Sequence, residues 1–547
     1  MAPLSNLQTR AVETLIHPYS NQATIRETGP LVIERGKGVY IYDTEGKQYL
    51  EGMAGLWCTA LGYDNEELVE AAASQMRKLP FAHLFTAKSH DPGIELAEKL
   101  KEIAPVPISK VFFCNSGSEA NDSQMKLVWY MNNALGRPEK KKIISRVKAY
   151  HGVTIASASL TGLPNNHIDF DLPIARVLHT SCPHHYRFGK DGESEEEFAT
   201  RCAAELEELI LNEGPDTVAA FIAEPIMGAG GVIVPPKTYF PKIMAVCAKY
   251  DVFMIDDEVI CGFGRLGTPF GCTALGYKPN SISVAKALSS AYLPIAGVMI
   301  PEEMYQALIV ESRKIGVFGH GFTYSGHPVA AAVAVKTLEI YKRDKIFEAA
   351  AARAPQFQKR LMALGDHPLV GEARGMGLVG ALELAGDKRA KKPFDPKKGV
   401  GAAVVSDGEV RRGHGGLAGE IAHVPTVGPA GVAMPLTEVF AALGLRRPGS
   451  TAIDVPKLLT EPEHGALGTA VAGVLSAAVA LADPAVVLIG GPWGRDPRVL
   501  AAIRAAFASA PRHVPVEAAS VEHEPALTGA REAALQQLRD AIVTAAR

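Results

Sequence analysis

Short apolar runs closed by polar residues recur along this chain as far as Lys398, and they constrain its fold more than any other feature. They include Lys110-Val-Phe-Phe-Cys114, Lys142-Ile-Ile-Ser145, Thr217 to Ala223, Val252-Phe-Met-Ile255 and Ser281-Ile-Ser-Val-Ala-Lys286. Runs this short, with little polar alternation, read as strands of a parallel sheet buried on both faces. Between them lie segments with a helical apolar period, such as Glu195 to Asn212 and Phe240 to Tyr250. Alternation of the two kinds points to a doubly wound α/β domain. Sheets of that type bind ligands beyond the carboxyl ends of their strands, so the residues closing each run are the place to look for chemistry.

Two of those ends carry complementary groups. The run at 252–255 closes in Asp256-Asp257, and the run beginning at Ser281 closes in Lys286, before the small-residue turn Ala287 to Ala291. A lysine and a carboxylate so placed can hold the two poles of pyridoxal phosphate. The amine forms a Schiff base with the aldehyde, and the acid keeps the pyridine nitrogen protonated. After the run at 110–114 comes Asn115-Ser-Gly-Ser-Glu-Ala-Asn-Asp122, entering a helix-compatible stretch. Ser116, Gly117 and Ser118 would set free N–H groups and hydroxyls at a helix N-terminus, where a phosphate binds, although the same turn also serves as a plain N-cap. Tyr150-His-Gly152 follows the run at 142–145. An aromatic there can stack on a planar ring or cover the core, and Gly152 lets backbone approach closely. Asp257-Glu-Val259 and Gly262-Phe-Gly-Arg265 complete the series.

These motifs, with Ala285-Lys-Ala-Leu-Ser-Ser290 and Gly319-His-Gly-Phe-Thr-Tyr-Ser-Gly-His-Pro328, resemble the class III aminotransferases, the ornithine, GABA and omega-amino acid transaminase group of PLP fold type I. The resemblance spans roughly residues 10 to 400. It implies that Ser116, Gly117, Ser118, Tyr150, His151, Gly152, Glu224, Asp257, Val259 and Lys286 bind the cofactor, with Lys286 and Asp257 catalytic. It also implies that Phe322 and Thr323 reach the cofactor phosphate of a partner subunit, so that the active unit is a homodimer. Glu224 in Ala223-Glu-Pro225 matches the family's active-site glutamate; a solvated strand end is the other reading. Glu51-Gly-Met-Ala-Gly-Leu-Trp57 resembles the substrate-pocket segment of the omega-amino acid:pyruvate branch, where Trp57, Tyr19 and Phe85 would line an apolar cavity or simply belong to a core. The implied domains are 1–60 (first part of a small domain), 61–310 (large, PLP-binding) and 311–398 (partial second part of the small domain).

Composition breaks near residue 399. Twenty-eight lysines occur up to Lys398 and only Lys457 follows, while all seven cysteines precede residue 273. The tail at 399–547 resembles the sugar kinases and repressors known as ROK, which implies an α/β ribonuclease-H-like segment. Gly399 to Gly408 reads as a hairpin, Gly413 to His423 resembles a sugar-contact segment with Glu420 and His423 as candidate ligands, and Val486 to Gly491 resembles a nucleotide-side strand and turn. Sugar-kinase activity is not expected, because that family's phosphate loop and catalytic aspartate belong to an N-terminal lobe without a counterpart here. The tail instead displaces the transaminase family's Arg-x-x-Gly-Asp segment, whose arginine receives the substrate carboxylate; Arg374 is left without an equivalent duty.

Bulk properties exclude several classes. A net charge of −3 gives no electrostatic reason to expect nucleic acid or an anionic membrane as partner. The N-terminus lacks the basic start and apolar core of a signal peptide, and Ala466 to Ala482 is rich in small residues and reads as a buried helix. An odd number of cysteines without a CxxC pair suggests neither a disulfide framework nor a zinc site, and no metal is expected. The expected protein is a cytosolic, PLP-dependent transaminase that moves an amino group from an omega-amino acid or amine to a keto acid such as pyruvate, in a ping-pong cycle. An aminomutase or decarboxylase on the same fold, a sugar-binding fusion and an inactive hybrid are the alternatives.

Overall fold

A computed structural model describes residues 4–392, 404–406, 409–411, 425–429, 432–446, 453–461, 464–482, 487–489, 496–508 and 514–518. The chain forms two compact units. The larger holds 33–363 and 373–381; the other gathers the N-terminal residues to Val32, 364–372 and the chain from Leu382 onward. These divisions differ from boundaries at 60, 310 and 398. The strands Ile33–Lys37, Tyr40–Asp43 and Gln48–Leu50 belong to the larger unit, as does the helix Pro328–Arg343, which buries one face against the helices Glu66–Lys78 and Asp91–Ile103.

The larger unit is built on seven strands: β1 (Lys110–Cys114), β2 (Lys142–Arg146), β3 (Val177–Thr180), β4 (Val218–Ala223), β5 (Phe253–Asp257), β6 (Ser281–Val284) and β7 (Ala296–Ile300). Their order is β1-β7-β6-β5-β4-β2-β3. β7 runs antiparallel to both neighbours and all other pairings are parallel, so the sheet is mixed rather than wholly parallel.

Successive residues of the strands enter opposite cores. Phe221 and Met254 join one apolar cluster, whereas Ala220, Ile222, Phe253 and Ile255 join the other. Both faces are dry, which is why the runs lack polar alternation. The first cluster is closed by α2 (Glu195–Glu213), through Phe198, Cys202, Leu206 and Ile210, and by α3 (Tyr239–Lys249), through Phe240, Ile243 and Cys247. The second is closed by α1 (Gly117–Ala134), through Ala120, Val128 and Met131. Full burial of such side chains contributes about 1.5–3 kcal/mol each.

The second unit has its own core, in which Val439, Phe440, Leu458, Leu467, Val499 and Phe507 are buried together. The helix Gly465–Ala482 packs on the helix Pro497–Phe507, and Gly468 permits the approach, since a Cβ there would stand 2.6 Å from the Ala502 backbone. No described helix is long and apolar enough to cross a membrane. The hairpin expected at 399–408 lies further on, with Val404, Val405 and Ser406 opposite Arg411, Val410 and Glu409. Val487–Ile489 is a strand and pairs in parallel with Val516–Ala518. Glu420 and His423 lie outside the described residues.

Candidate active site

Several of the expected residues line one cavity of about 120 Å³ at the carboxyl ends of the strands: Gly117, Ser118, Tyr150, His151, Gly152, Glu224, Asp257, Val259 and Lys286, joined by Asn121 and Ile260. Strand alternation directs Asp257 to the α1 side, following Phe253 and Ile255. There its carboxylate is 3% exposed and fully engaged. His151 Nδ1 lies 2.7 Å from Oδ2, Asn121 Nδ2 donates to the same oxygen at 2.7 Å, and the Val259 N–H donates to Oδ1 at 3.1 Å. A carboxylate only accepts, so His151 carries its proton on Nδ1 toward Asp257. Asn121 also donates to the His151 carbonyl at 2.8 Å, locking the two elements together.

Lys286 follows β6 and opens a single turn of 3-10 helix instead of continuing the strand. Its φ is +48°, and Ser290 (+48°) and Ala291 (+66°) share this left-handed conformation. Burial pushes the Lys286 amine down from its ordinary range, opposed by the charges of Asp257, Cys58 and Glu224 in that order. The Trp57 ring centroid is 5.9 Å from its Nζ.

Glu224 is buried, which overturns the solvated strand-end reading. The N–H groups of Tyr150 and Gly228 donate to its two oxygens at 3.0 and 3.1 Å, and Arg146 Nη2 donates to its carbonyl at 2.6 Å. Burial pushes its carboxyl up, and the nearby His151 and Arg146 offset part of that rise.

At the start of α1, Ser116 and Ser118 divide the work. Ser116 is an exposed N-cap whose Oγ accepts from the Glu119 N–H at 3.2 Å, and it does not line the cavity. Gly117 and Ser118 do, as the first two helical residues, whose N–H groups no helical carbonyl reaches. Gly152 has φ +135°, and a Cβ there would stand 2.4 Å from Ser157 Oγ and 2.5 Å from Ser118 Oγ.

The remaining expected residues lie elsewhere. Phe322 sits among Phe112 and His320, Thr323 is exposed, and neither lines this cavity. Phe85 is 45% exposed and also outside it. Tyr19 belongs to the other compact unit and is 74% exposed. Arg374 donates through Nε and Nη2 to the Gly231 carbonyl at 3.0 and 2.6 Å. Asn121 was missed in the sequence, although it follows Gly117 by one helical turn and so shares its face.

The residues fit pyridoxal phosphate. An amine and a carboxylate face one cavity, a helix N-terminus and two glycines leave room for a phosphate, and two buried polar atoms, Asn121 Oδ1 and His151 Nε2, have no partner among the described residues. A lysine, an acid and an anion cradle on a mixed α/β sheet define a PLP enzyme of fold type I.

The family model described as "Aminotransferase class-III" matches residues 22–412, and the chain belongs to that family. It is 55% identical over 389 residues to "Gamma aminobutyrate transaminase 3, chloroplastic" of Solanum lycopersicum, covering 71% of this chain and 75% of the relative. A mitochondrial gamma-aminobutyrate transaminase of Oryza sativa subsp. japonica is 54% identical over 389 residues, with the same coverage. Among solved structures, the omega transaminase of Pseudomonas jessenii in complex with PMP superposes with a TM-score of 0.71 at 56% identity, over 72% of this chain and 86% of that one. An aminotransferase from Vibrio fluvialis, in its PMP-bound form, gives 0.70 at 42% identity, over 72% and 87%. The chain is a PLP-dependent aminotransferase that transfers amino groups between an amine or amino acid and a keto acid. The family match runs past the composition break at 399.

Proposed function

We propose that this enzyme takes its amino group from an omega-amino acid or an amine and passes it to a keto acid such as pyruvate. The observation that carries the reading is the convergence of Lys286, Asp257 and the α1 N-terminus on one cavity beside Trp57. Names of the relatives support both donor classes, since they include gamma-aminobutyrate transaminases and omega transaminases.

The chemistry supplied by bound pyridoxal phosphate is an aldehyde for amine capture and a ring that accepts electrons when its nitrogen is protonated. The Gly117 and Ser118 N–H groups bind the phosphate, and Tyr150 orients the ring. Asp257 holds the proton at the ring nitrogen, and His151 and Asn121 orient the carboxylate. Burial keeps Lys286 Nζ able to accept a proton and to return it, as a general acid–base must. Trp57 stands beside Nζ on one side, with its ring centroid 5.9 Å away. Phe322 and Thr323 act on the partner subunit's cofactor, so the working form is a homodimer; the exposure of Thr323 in the single chain is consistent with this.

The aminotransferase match extends to residue 412 and takes in the hairpin at 404–411, so that hairpin gives no support to a ROK-like tail. Cytosolic location is retained from the sequence, whereas the tomato and rice relatives are named for chloroplast and mitochondrion.

Purified protein should show a visible absorbance band that shifts when an amine is added, and pyruvate should restore it. A band that responds to amine but never to a keto acid would favour the aminomutase or decarboxylase alternative.

A further inference from the structure

The strand end that delivers Asp257 carries an acid on either side of it. Asp256, Asp257 and Glu258 are consecutive, and each is at most 3% exposed. Alternation that turns Asp257 toward α1 turns its two neighbours to the opposite face of the sheet. There the Tyr277 hydroxyl donates to Asp256 Oδ1 at 2.6 Å, and the Cys272 N–H donates to Glu258 Oε1 at 2.7 Å. Both anchors belong to the segment 271–277, so the two acids tie that segment to the end of β5. Their other oxygens, Asp256 Oδ2 and Glu258 Oε2, are buried without a hydrogen-bond partner among the described residues. The two carboxyls nevertheless present oxygens within 4.8 Å of each other.

The titratable side chains that face this pair are Tyr277 and Cys272 from the 271–277 segment and Cys261 from the turn after β5. None of them is a cation. Two carboxylates this close together, in a buried site whose facing side chains carry no positive charge, resist ionising together. Burial pushes both acids upward, and the charge of Glu258 pushes Asp256 further in the same direction.

We propose that Asp256 and Glu258 share a single proton and act as positioning residues, anchoring the strand end so that Asp257 is held with its carboxylate directed into the cavity. Proton sharing supplies the donor that neither free oxygen otherwise has, and it leaves the pair with one negative charge in place of two. The consequence for Asp257 rests on its proposed role at the cofactor; the shared proton does not.

Infrared spectra of the PLP-loaded holoenzyme at pH 8 test the pairing. A protonated-carboxyl carbonyl band is expected in the unmodified enzyme and should be lost in Asp256→Asn and in Glu258→Gln, each of which replaces the shared proton with an amide. Absence of the band from the unmodified enzyme overturns the proposal without reference to any variant. Its persistence in both variants also overturns it, because the proton then sits on another acid such as Glu224. Retention of pyridoxal phosphate against pH supplies the second readout. In the unmodified enzyme the cofactor Kd should rise at alkaline pH as the pair gives up its proton, by up to about tenfold per pH unit for one linked proton. Asp256→Asn carries the same charge as the proton-sharing pair and should lack that rise. An identical alkaline rise in the variant would remove Asp256 and Glu258 from any positioning role, even with the infrared band assigned to them.

Discussion

His151 and Asp257 are joined through Nδ1 and Oδ2 at 2.7 Å, with both side chains buried. His151 is thus held at two points: its ring donates to the acid, and its backbone carbonyl accepts from Asn121.

Asp257→Asn should retain the cofactor and lose speed. A neutral amide cannot hold a proton on the ring nitrogen, and the loss of one charge-assisted contact suggests a penalty of roughly 10²-fold or more. Single-turnover absorbance with an amine donor measures it; turnover near that of the unmodified enzyme would move the role to another group.

Lys286 should be the residue trapped by borohydride, and Lys286→Ala should abolish the visible band. Labelling at a different lysine would contradict the assignment.

The same lysine has a pH signature in the apo protein. Burial lowers its folded-state pKa below the ordinary 10.5, so in the window between the two values the unfolded chain binds the proton more readily. The resulting penalty is full below the folded pKa and fades as pH rises toward 10.5. Lys286→Met should thus raise the thermal stability of apo protein at neutral pH, with the gain shrinking at alkaline pH. A gain independent of pH would mean that packing, not charge, is responsible.

Gly152→Ala should weaken cofactor binding before it unfolds the chain. The new Cβ would press on Ser118 Oγ and Ser157 Oγ, displacing the second residue of α1, and backbone strain at φ +135° adds about 1–3 kcal/mol. Cofactor titration alongside thermal melts separates the two effects.

Amines without a carboxylate should be better donors than β-alanine. No Arg-x-x-Gly-Asp segment is present, and Arg374 is engaged with Gly231. An unpaired substrate carboxylate in an apolar pocket costs several kcal/mol. Comparing kcat/KM for matched donors checks this, and efficient turnover of β-alanine and pyruvate would show that another cation serves.

The sheet was legible because its strands are dry on both faces: the run at 110–114 coincides with β1, and α2 and α3 fall within a residue of the segments read as helical. The antiparallel β7 was missed because Ala296 to Ile300 is as apolar as its parallel neighbours, and direction leaves no mark on composition. Within the site, motif order placed Lys286, Asp257 and Gly152 together, but it could not separate Ser116 from Ser118. That depends on which hydroxyl the helix takes as its cap. Asn121 escaped because an asparagine within a helix announces nothing until its partner is known. Tyr19 and Trp57 were grouped by residue type, whereas they occupy different compact units.

Lys286, Ser290 and Ala291 all hold left-handed backbone, a conformation that disfavours residues with a Cβ by roughly 1–2 kcal/mol each. The Lys286 amine is thus offered on a stiff, high-energy bend rather than on a relaxed loop. Glycine at the exposed position 291 would release part of that tension, so the variant would be tolerated by the fold while the amine gained freedom to wander. Selection for heat resistance alone would tend to accept such changes, and directed evolution of this enzyme would need activity in the screen to keep the bend in place.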